Sequence, residues 1–299
     1  MAGSQDFAAD PRNERLLIYL NGRIVTHSEA FVSVFDAGFV LGDGIWEGLR
    51  LHRGRLLFLQ AHLDRLFWGA GQIGLDIGMD RPGVTAALQA ILDANAMTDG
   101  AHLRLMITRG EKAAANQDPR NALGRPTVVI LAEYKQPAPA LRTRGLSLHT
   151  AGIRCTPATM FDMRINSHSR LPLILALNEA IGAGADEALM LDPEGNISSC
   201  NATNFFWVVG GELRTSTGTC CFNGVTRANV IALAEANALP FQRGDFAPDD
   251  LLGADEAFVT GTFGGITPVR SIDGRALPAA LPGAVTTRMI ALYEALKDA

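Results

Sequence analysis

The chain has 299 residues, 47% of them hydrophobic and 19% charged, with a formal net charge of −5. That length accommodates two domains of ordinary size, and acidic and basic residues are interspersed without a basic stripe for nucleic acid or a polybasic patch for a membrane surface. Small-molecule chemistry is the class that these bulk properties leave, with no nucleic acid and no membrane as partner.

The first fifteen residues, MAGSQDFAADPRNER, lack an apolar core behind positive charge and are expected to be a disordered lead (1–15), not a secretory signal. Cys155, Cys200, Cys220 and Cys221 have no C-x-x-C spacing, so neither a disulfide framework nor a zinc site is expected, and a reducing cytoplasm is the simplest setting. In 16-LLIYLNGRIV-25, Asn-Gly between two apolar runs predicts a hairpin, because both turn residues tolerate positive φ. A glycine-punctuated bend, 36-DAGFVLGDG-44, leads to a strand at 45-IWEGLRL-51 and a second hairpin through 56-LLFL-59. Leu59, Leu63, Leu66 and Ala70, then Val84, Leu88, Ile91 and Leu92, recur at helical spacing. Strands at 102–107 and 127–134 complete a small N-terminal α/β domain over 16–134.

Two prolines and scattered basic residues in 135-KQPAPALRTRG-145 predict an extended interdomain linker. Over 146–299, a larger C-terminal domain is expected: a strand at 146–153, a helix over 170–184 with Pro172 in its first turn, strands at 187–192, 204–209 and 212–215, a helix over 226–238, a strand at 256–260 and a C-terminal helix. The fold class is therefore α/β, in the α+β two-domain sense.

Three elements suggest a cup for phosphate. In 223-NGVTRANVIALAEANAL-239 a turn opens a helix, so the N–H groups of Val225 and Thr226 point out at its positive end, although Thr226 also reads simply as an N-cap. In 256-EAFVTGTFGGITPV-269 small residues around Thr260 and Thr262 permit close approach of a ligand. Arg65 lies off the apolar stripe of its helix and offers the bidentate fork that phosphate favours.

These elements, with 19-YLNGRIV-25, 36-DAGFVLGDGIWEGLRLHRGRLLFLQAHLDRL-66, 186-DEALMLD-192, 204-NFF-206 and 266-ITPV-269, resemble the class IV aminotransferases. These are the fold type IV pyridoxal phosphate enzymes, among them branched-chain and D-amino acid aminotransferases and aminodeoxychorismate lyase. The resemblance implies a homodimer, pyridoxal or pyridoxamine 5'-phosphate as cofactor, an amino acid or amine as substrate, and a phosphate held by Arg65, Val225, Thr226 and Thr262. It also places Trp46 at an aromatic pocket position and Arg104 near a substrate-binding arginine.

The chain departs from the family pattern at the reactive end. Counting back from Glu179-Ala180 in 162-DMRINSHSRLPLILALNEA-180 puts the lysine that links the cofactor covalently at Asn166, and one residue of slack puts it at Ile165. The three lysines are Lys112, Lys135 and Lys297, all outside this segment. An amide is neither nucleophilic nor basic near neutral pH, so about 3 to 5 kcal/mol of proton-transfer assistance must come from elsewhere or be forfeited. The family's glutamate beneath the cofactor's pyridine nitrogen aligns with Ser199 in 198-SSCNATN-204, which hydrogen-bonds without holding a proton there. Three readings follow: an enzyme with a noncovalently held cofactor and His168 as proton carrier, a noncatalytic relative that keeps the ligand site, or a lysine-to-asparagine replacement made to trap a complex. The change at Ser199 argues against the third. A hydrolytic Cys200–His168 pair is a further alternative, set against simple packing for Cys200 and a structural role for His149.

Overall fold

The computed structural model describes residues 3–299, which form two compact units. The first unit contains Ala8–Gln136 and Ile165–Arg170; the second contains residues 3–7, Pro137–Arg164 and Leu171–Ala299.

In chain order the first unit consists of β1 (Leu17–Leu20), β2 (Arg23–Thr26), α1 (Ala37–Leu41), β3 (Gly44–His52), β4 (Arg55–Leu56), α2 (Leu59–Gln72), α3 (Arg81–Ala94), β5 (Ala101–Thr108) and β6 (Thr127–Tyr134). The strands make one sheet in the order β2-β1-β6-β5-β3-β4. Asn21 and Gly22 both have positive φ, at 50° and 83°, which is why Asn-Gly closes the β1–β2 hairpin. Strand alternation divides the sheet. Leu49, Leu51, Leu103, Leu105 and Ile130 are buried with Leu63, Leu66, Leu88 and Ile91 of α2 and α3, whereas Trp46, Arg50, His102, Arg104 and Met106 lie on the opposite face. The glycine-punctuated bend contains a short helix, α1, capped by the Asp36 carboxylate at Gly38 N–H.

The second unit adds α4 (Leu141–Arg144), β7 (Leu146–Thr150), α5 (Leu171–Gly182), β8 (Glu187–Leu191), β9 (Ile197–Cys200), β10 (Asn204–Val209), β11 (Glu212–Ser216), α6 (Val225–Ala236), β12 (Phe241–Gly244), β13 (Glu256–Gly261), β14 (Gly265–Ile272), β15 (Arg275–Ala276) and α7 (Ala284–Asp298). Its sheet runs β12-β11-β10-β13-β14-β7-β8-β9, with β15 on β14. Phe205 and Trp207 stack at 5.5 Å in one core layer, and Phe206 and Phe258 at 5.1 Å on the other side of the sheet.

Two expectations are corrected. The described part of the lead is ordered by specific bonds: Ser4 N–H donates to the buried Glu187 carboxylate at 3.0 Å, and the Asn13 amide exchanges two hydrogen bonds with the Tyr134 backbone. Polarity there signals partners, not the absence of structure. The 135–145 stretch contains α4, whose Leu141 is buried, so its prolines precede a helical turn instead of extending the chain. Among the described residues no helix is long and apolar enough to cross a membrane.

Candidate active site

Two groups of residues gather the sequence-predicted positions, one in each unit. In the second unit, α6 begins at Val225 with Gly224 as N-cap, so Thr226 is a first-turn residue and not the cap. Its backbone N–H, like that of Val225, has no acceptor within the helix. Asn204 sets where this end lies: its Oδ1 accepts from Gly224 N–H at 3.0 Å, and its Nδ2 donates to the Phe222 carbonyl at 2.6 Å. Asn204 pairs across the sheet with Thr260, whose hydroxyl is buried and has no hydrogen-bond partner among the described residues. A donor left unsatisfied beside an open helix N-terminus calls for an anion with several acceptor oxygens. Thr262 lies in the β13–β14 turn, half-buried. A side chain on Gly265, where φ is 66°, would come within 3.3 Å of Tyr293, whose hydroxyl is 3.4 Å from Thr226 Oγ1. These residues fit a phosphate ester.

Ser199, also in the second unit, is buried and closed. Its hydroxyl donates to the Thr203 carbonyl at 2.8 Å and accepts from Asn204 Nδ2 at 3.1 Å. Cys200 is buried on the same strand, and burial above all raises its thiol well above the ordinary range, which suits packing and not nucleophilic attack. All four cysteines are free, and His149 Nδ1 is 3.3 Å from the Asp273 carboxylate.

In the first unit, the segment Ile165–Arg170 lies along the start of β3. Trp46 N–H donates to the Asn166 carbonyl at 2.9 Å, His168 N–H to Gly44 at 2.9 Å, and Trp46 Nε1–H to the Ser167 carbonyl at 3.1 Å. Gly44 is required here, since a Cβ would lie 2.8 Å from the His168 ring and 2.6 Å from the Ile107 carbonyl. The Asn166 side chain is buried. Its Nδ2 donates to the Trp46 carbonyl at 2.5 Å and its Oδ1 accepts from Arg170 Nη2. His168 Nε2 is 3.1 Å from the Ile45 carbonyl, which can only accept, so that nitrogen carries the proton and Nδ1 is the basic one. Burial, then the Arg104 and Arg170 charges, lower its pKa against the Ile45 bond, so the ring is neutral near pH 7.

The fork of Arg65, expected for phosphate, grips the Glu47 carboxylate through Nε at 2.8 Å and Nη2 at 2.7 Å. Glu47 also accepts from His62 Nδ1 at 2.7 Å, and both side chains are 1% exposed. Burial alone would raise the Glu47 carboxyl, yet the Arg65 charge and these hydrogen bonds hold it below the ordinary range. Arg104 makes no ion pair among the described residues; its guanidinium stands 4.0 Å over the Trp46 ring. Glu47, His62 and Arg170 were not singled out from sequence, and Asn204 was used only as the end of the 198–204 run; Arg170 left a signal too, four residues beyond Asn166 at the mouth of a helix.

This fold and these two groups define a known class. The model of the class IV amino-transferase family matches residues 44–272, and the chain belongs to that family. It is 35% identical over 96% of its length to branched-chain-amino-acid aminotransferase-like protein 2 of Arabidopsis thaliana, and spans about half (51%) of that longer protein. A putative branched-chain-amino-acid aminotransferase of Methanocaldococcus jannaschii is also 35% identical, with 94% of this chain and 95% of that one covered. The fold is that of the T.th. branched-chain amino acid aminotransferase, solved in complex with N-(5'-phosphopyridoxyl)-L-glutamate: TM-score 0.86, 28% identity and 95% of each chain covered.

Proposed function

We propose that the protein is an aminotransferase-type enzyme that holds pyridoxal or pyridoxamine 5'-phosphate noncovalently and acts on an amino acid or amine, with a mechanism altered by the asparagine at position 166. The observation that carries this reading is the engagement of both ends of the Asn166 amide, by Trp46 and Arg170, at the position where the sequence resemblance expects the cofactor-linking lysine. Occupancy of the related T.th. enzyme by a phosphopyridoxyl amino acid supports the choice of ligand.

The first-turn N–H groups of Val225 and Thr226, with the Thr226, Thr260 and Thr262 hydroxyls, bind the phosphate dianion at the positive end of α6. Bound there, the cofactor supplies an electron sink for carbon–nitrogen chemistry. In the first unit Arg65, steadied by Glu47, keeps its charge, and in the second unit Ser199 is a neutral hydroxyl at the position where the sequence resemblance expects a carboxylate. His168, neutral at working pH, moves the proton through Nδ1, and Trp46 with Arg104 receives the substrate. A second reading, a noncatalytic binder, is favoured by the commitment of the Ser199 hydroxyl proton to Thr203.

Borohydride treatment of the protein loaded with pyridoxal phosphate, followed by mass measurement, is expected to give no lysine adduct. An adduct on Lys112 or Lys135 overturns the proposal. Turnover of an amino donor with a 2-oxo acid is expected; stoichiometric cofactor without turnover of any amine establishes the binder instead.

We also place a second copy of the chain against two apolar surfaces, one in each unit. Phe31, Val34 and Phe39 are 77%, 66% and 75% exposed, and Leu171, Ile174, Leu175 and Ile181 form an exposed stripe on α5. Light scattering is expected to report a dimer, and Phe39→Asp a monomer. The free thiols suit a cytoplasmic setting.

A further inference from the structure

The loop between β11 and α6 is tied down from two sides. On the β10 side Asn204 holds the Phe222 carbonyl and Gly224 N–H. On the β11 side the tie is Arg227, in the first turn of α6: its Nη2 donates to the Ser216 carbonyl at 2.7 Å and its Nη1 to Asn223 Oδ1 at 3.1 Å. Asn223 passes the tie on, since its Nδ2 donates to the Gly218 carbonyl at 3.1 Å. Gly218 leaves room for this: at φ 83°, a Cβ there would lie 2.4 Å from Asn223 Oδ1 and 3.1 Å from Arg227 Nη2. The loop closes around one guanidinium. The first bond of the helix runs from Ala228 N–H to the Gly224 carbonyl at 3.0 Å, so the N–H groups of Val225, Thr226 and Arg227 all lie at the open end that this tie sets.

Arg227 is 6% exposed, and no carboxylate among the described residues bonds it. Burial, foremost, lowers its pKa; the Cys221 thiol acts against that, and the like charge of Arg243 adds to it. Both acceptors of the guanidinium are neutral, so they satisfy its N–H groups and leave its charge. A buried charge is costly unless an opposite one meets it, and a neutral amide would be enough to tie a loop. Because Asn223 directly precedes the Gly224 N-cap, the guanidinium stands where the dipole of α6 is also positive, and the two add. An anion at this end answers both.

We infer that Arg227 is a positioning residue for the phosphate group: its side chain fixes the β11–α6 loop so that the first-turn N–H groups face the ligand, and its buried charge adds to the preference of that end for a phosphate ester. The inference deepens the proposed function and rests on it for the place of the phosphate. It gives the Arg227 side chain a part in binding without contact with the ligand.

The test uses the purified full chain, with pyridoxamine 5'-phosphate as probe and pyridoxamine, which lacks only the phosphate, as its counterpart, and reads both affinities by titration calorimetry. The unsubstituted protein is expected to bind the ester on the order of a hundredfold more tightly, the scale of two hydrogen bonds to a charged group. Arg227→Met is expected to cut affinity for the ester about tenfold or more and to leave pyridoxamine within about twofold. Arg227→Lys, which keeps the charge but cannot fork between both acceptors, is expected to restore part of the loss. Gly218→Ala, which leaves Arg227 in place and crowds Asn223 Oδ1, is expected to weaken binding of the ester alone. Far-UV circular dichroism checks each variant's fold, and if Arg227→Met does not fold, Gly218→Ala and Arg227→Lys carry the test. A preference for the ester that is unchanged in the variants, whether because neither affinity falls or because both fall together as a merely structural role predicts, overturns the inference. The two readings fail separately: an unsubstituted chain with no preference for the ester removes the phosphate site and the inference with it, whereas a preference that survives Arg227→Met removes only the part given to Arg227.

Discussion

The N-terminus of α6 and the segment Ile165–Arg170 each contain residues that the family resemblance marks, and they are finished to opposite degrees. At α6 the first-turn N–H groups have no helical acceptor and Thr260 keeps a buried, unpartnered hydroxyl. Along Ile165–Arg170 the amide, indole, imidazole and main-chain groups are bonded to one another or to β3. Unsatisfied donors are costly unless something arrives to accept from them, so the first region is built to bind. The second is built to hold a shape, and whatever chemistry occurs beside it must do without a mobile nucleophile.

The largest test of that contrast is the brace inside the first unit. Glu47→Ala removes the carboxylate shared by the half-buried Arg65 and the buried His62 and is expected to cost about 3–5 kcal/mol in urea unfolding. The pH dependence has a definite sign. The folded carboxyl of Glu47 titrates below its unfolded value, so its stabilisation is present above the ordinary carboxylate range and is lost as pH falls through the folded value. His168 adds to acid lability earlier, because its lowered folded pKa means that the unfolded ring takes up a proton first, from about pH 6.5 downward. Glu47→Gln is expected to flatten the dependence below about pH 5 and leave the step near pH 6.5. An unchanged acid limb would show that the brace is not what acid breaks.

Next in size is the open region. Thr226→Val keeps the volume and removes a hydroxyl 3.4 Å from Tyr293. Pyridoxal phosphate affinity is expected to fall about ten- to hundredfold, the range for a hydrogen bond to a charged group, with little change in unfolding midpoint. Asn166→Ala should do the reverse. It strips the Trp46 carbonyl of its donor and is expected to cost about 1–3 kcal/mol of stability while phosphate affinity stays within about twofold. Should Asn166→Ala weaken phosphate binding as much as Thr226→Val does, the division into a binding region and a shape-holding one is wrong.

Sequence made the candidate binding region legible because its signals are local. Asn223-Gly224 before an apolar helical period, and Thr-Gly-Thr after a strand, each announce their geometry within a few residues. The two-sheet framework was visible for the same reason, through hairpin turns and alternation that match β1, β3, β5 and β10 closely. Partners that meet across long stretches of chain left no such mark. Glu47 and His62 are on a strand and a helix fifteen residues apart, Asn166 meets Trp46 from 120 residues away, and Ser4 reaches Glu187 across 183. The Arg65 fork was visible as chemistry, but its acceptor was not, because any carboxylate in the chain satisfies the same rule.

Ser199 gives the smallest effect and the sharpest reading of the contrast, because it belongs to the binding unit yet is closed like the other region. Both its bonding directions are used, toward Thr203 and from Asn204, and the latter residue retains its bonds to Phe222 and Gly224 without it. Ser199→Ala is therefore expected to cost about 0.5–1.5 kcal/mol, the value of one internal hydrogen bond, and to leave the absorbance maximum and affinity of bound pyridoxal phosphate unaltered. A hydroxyl that instead turned toward the ring nitrogen would give up its bond to Thr203 on loading. The variant would then shift the spectrum while losing little stability. The two outcomes differ for each measurement, so one absorbance spectrum and one melting curve decide whether the closure of Ser199 persists when the neighbouring helix end is filled.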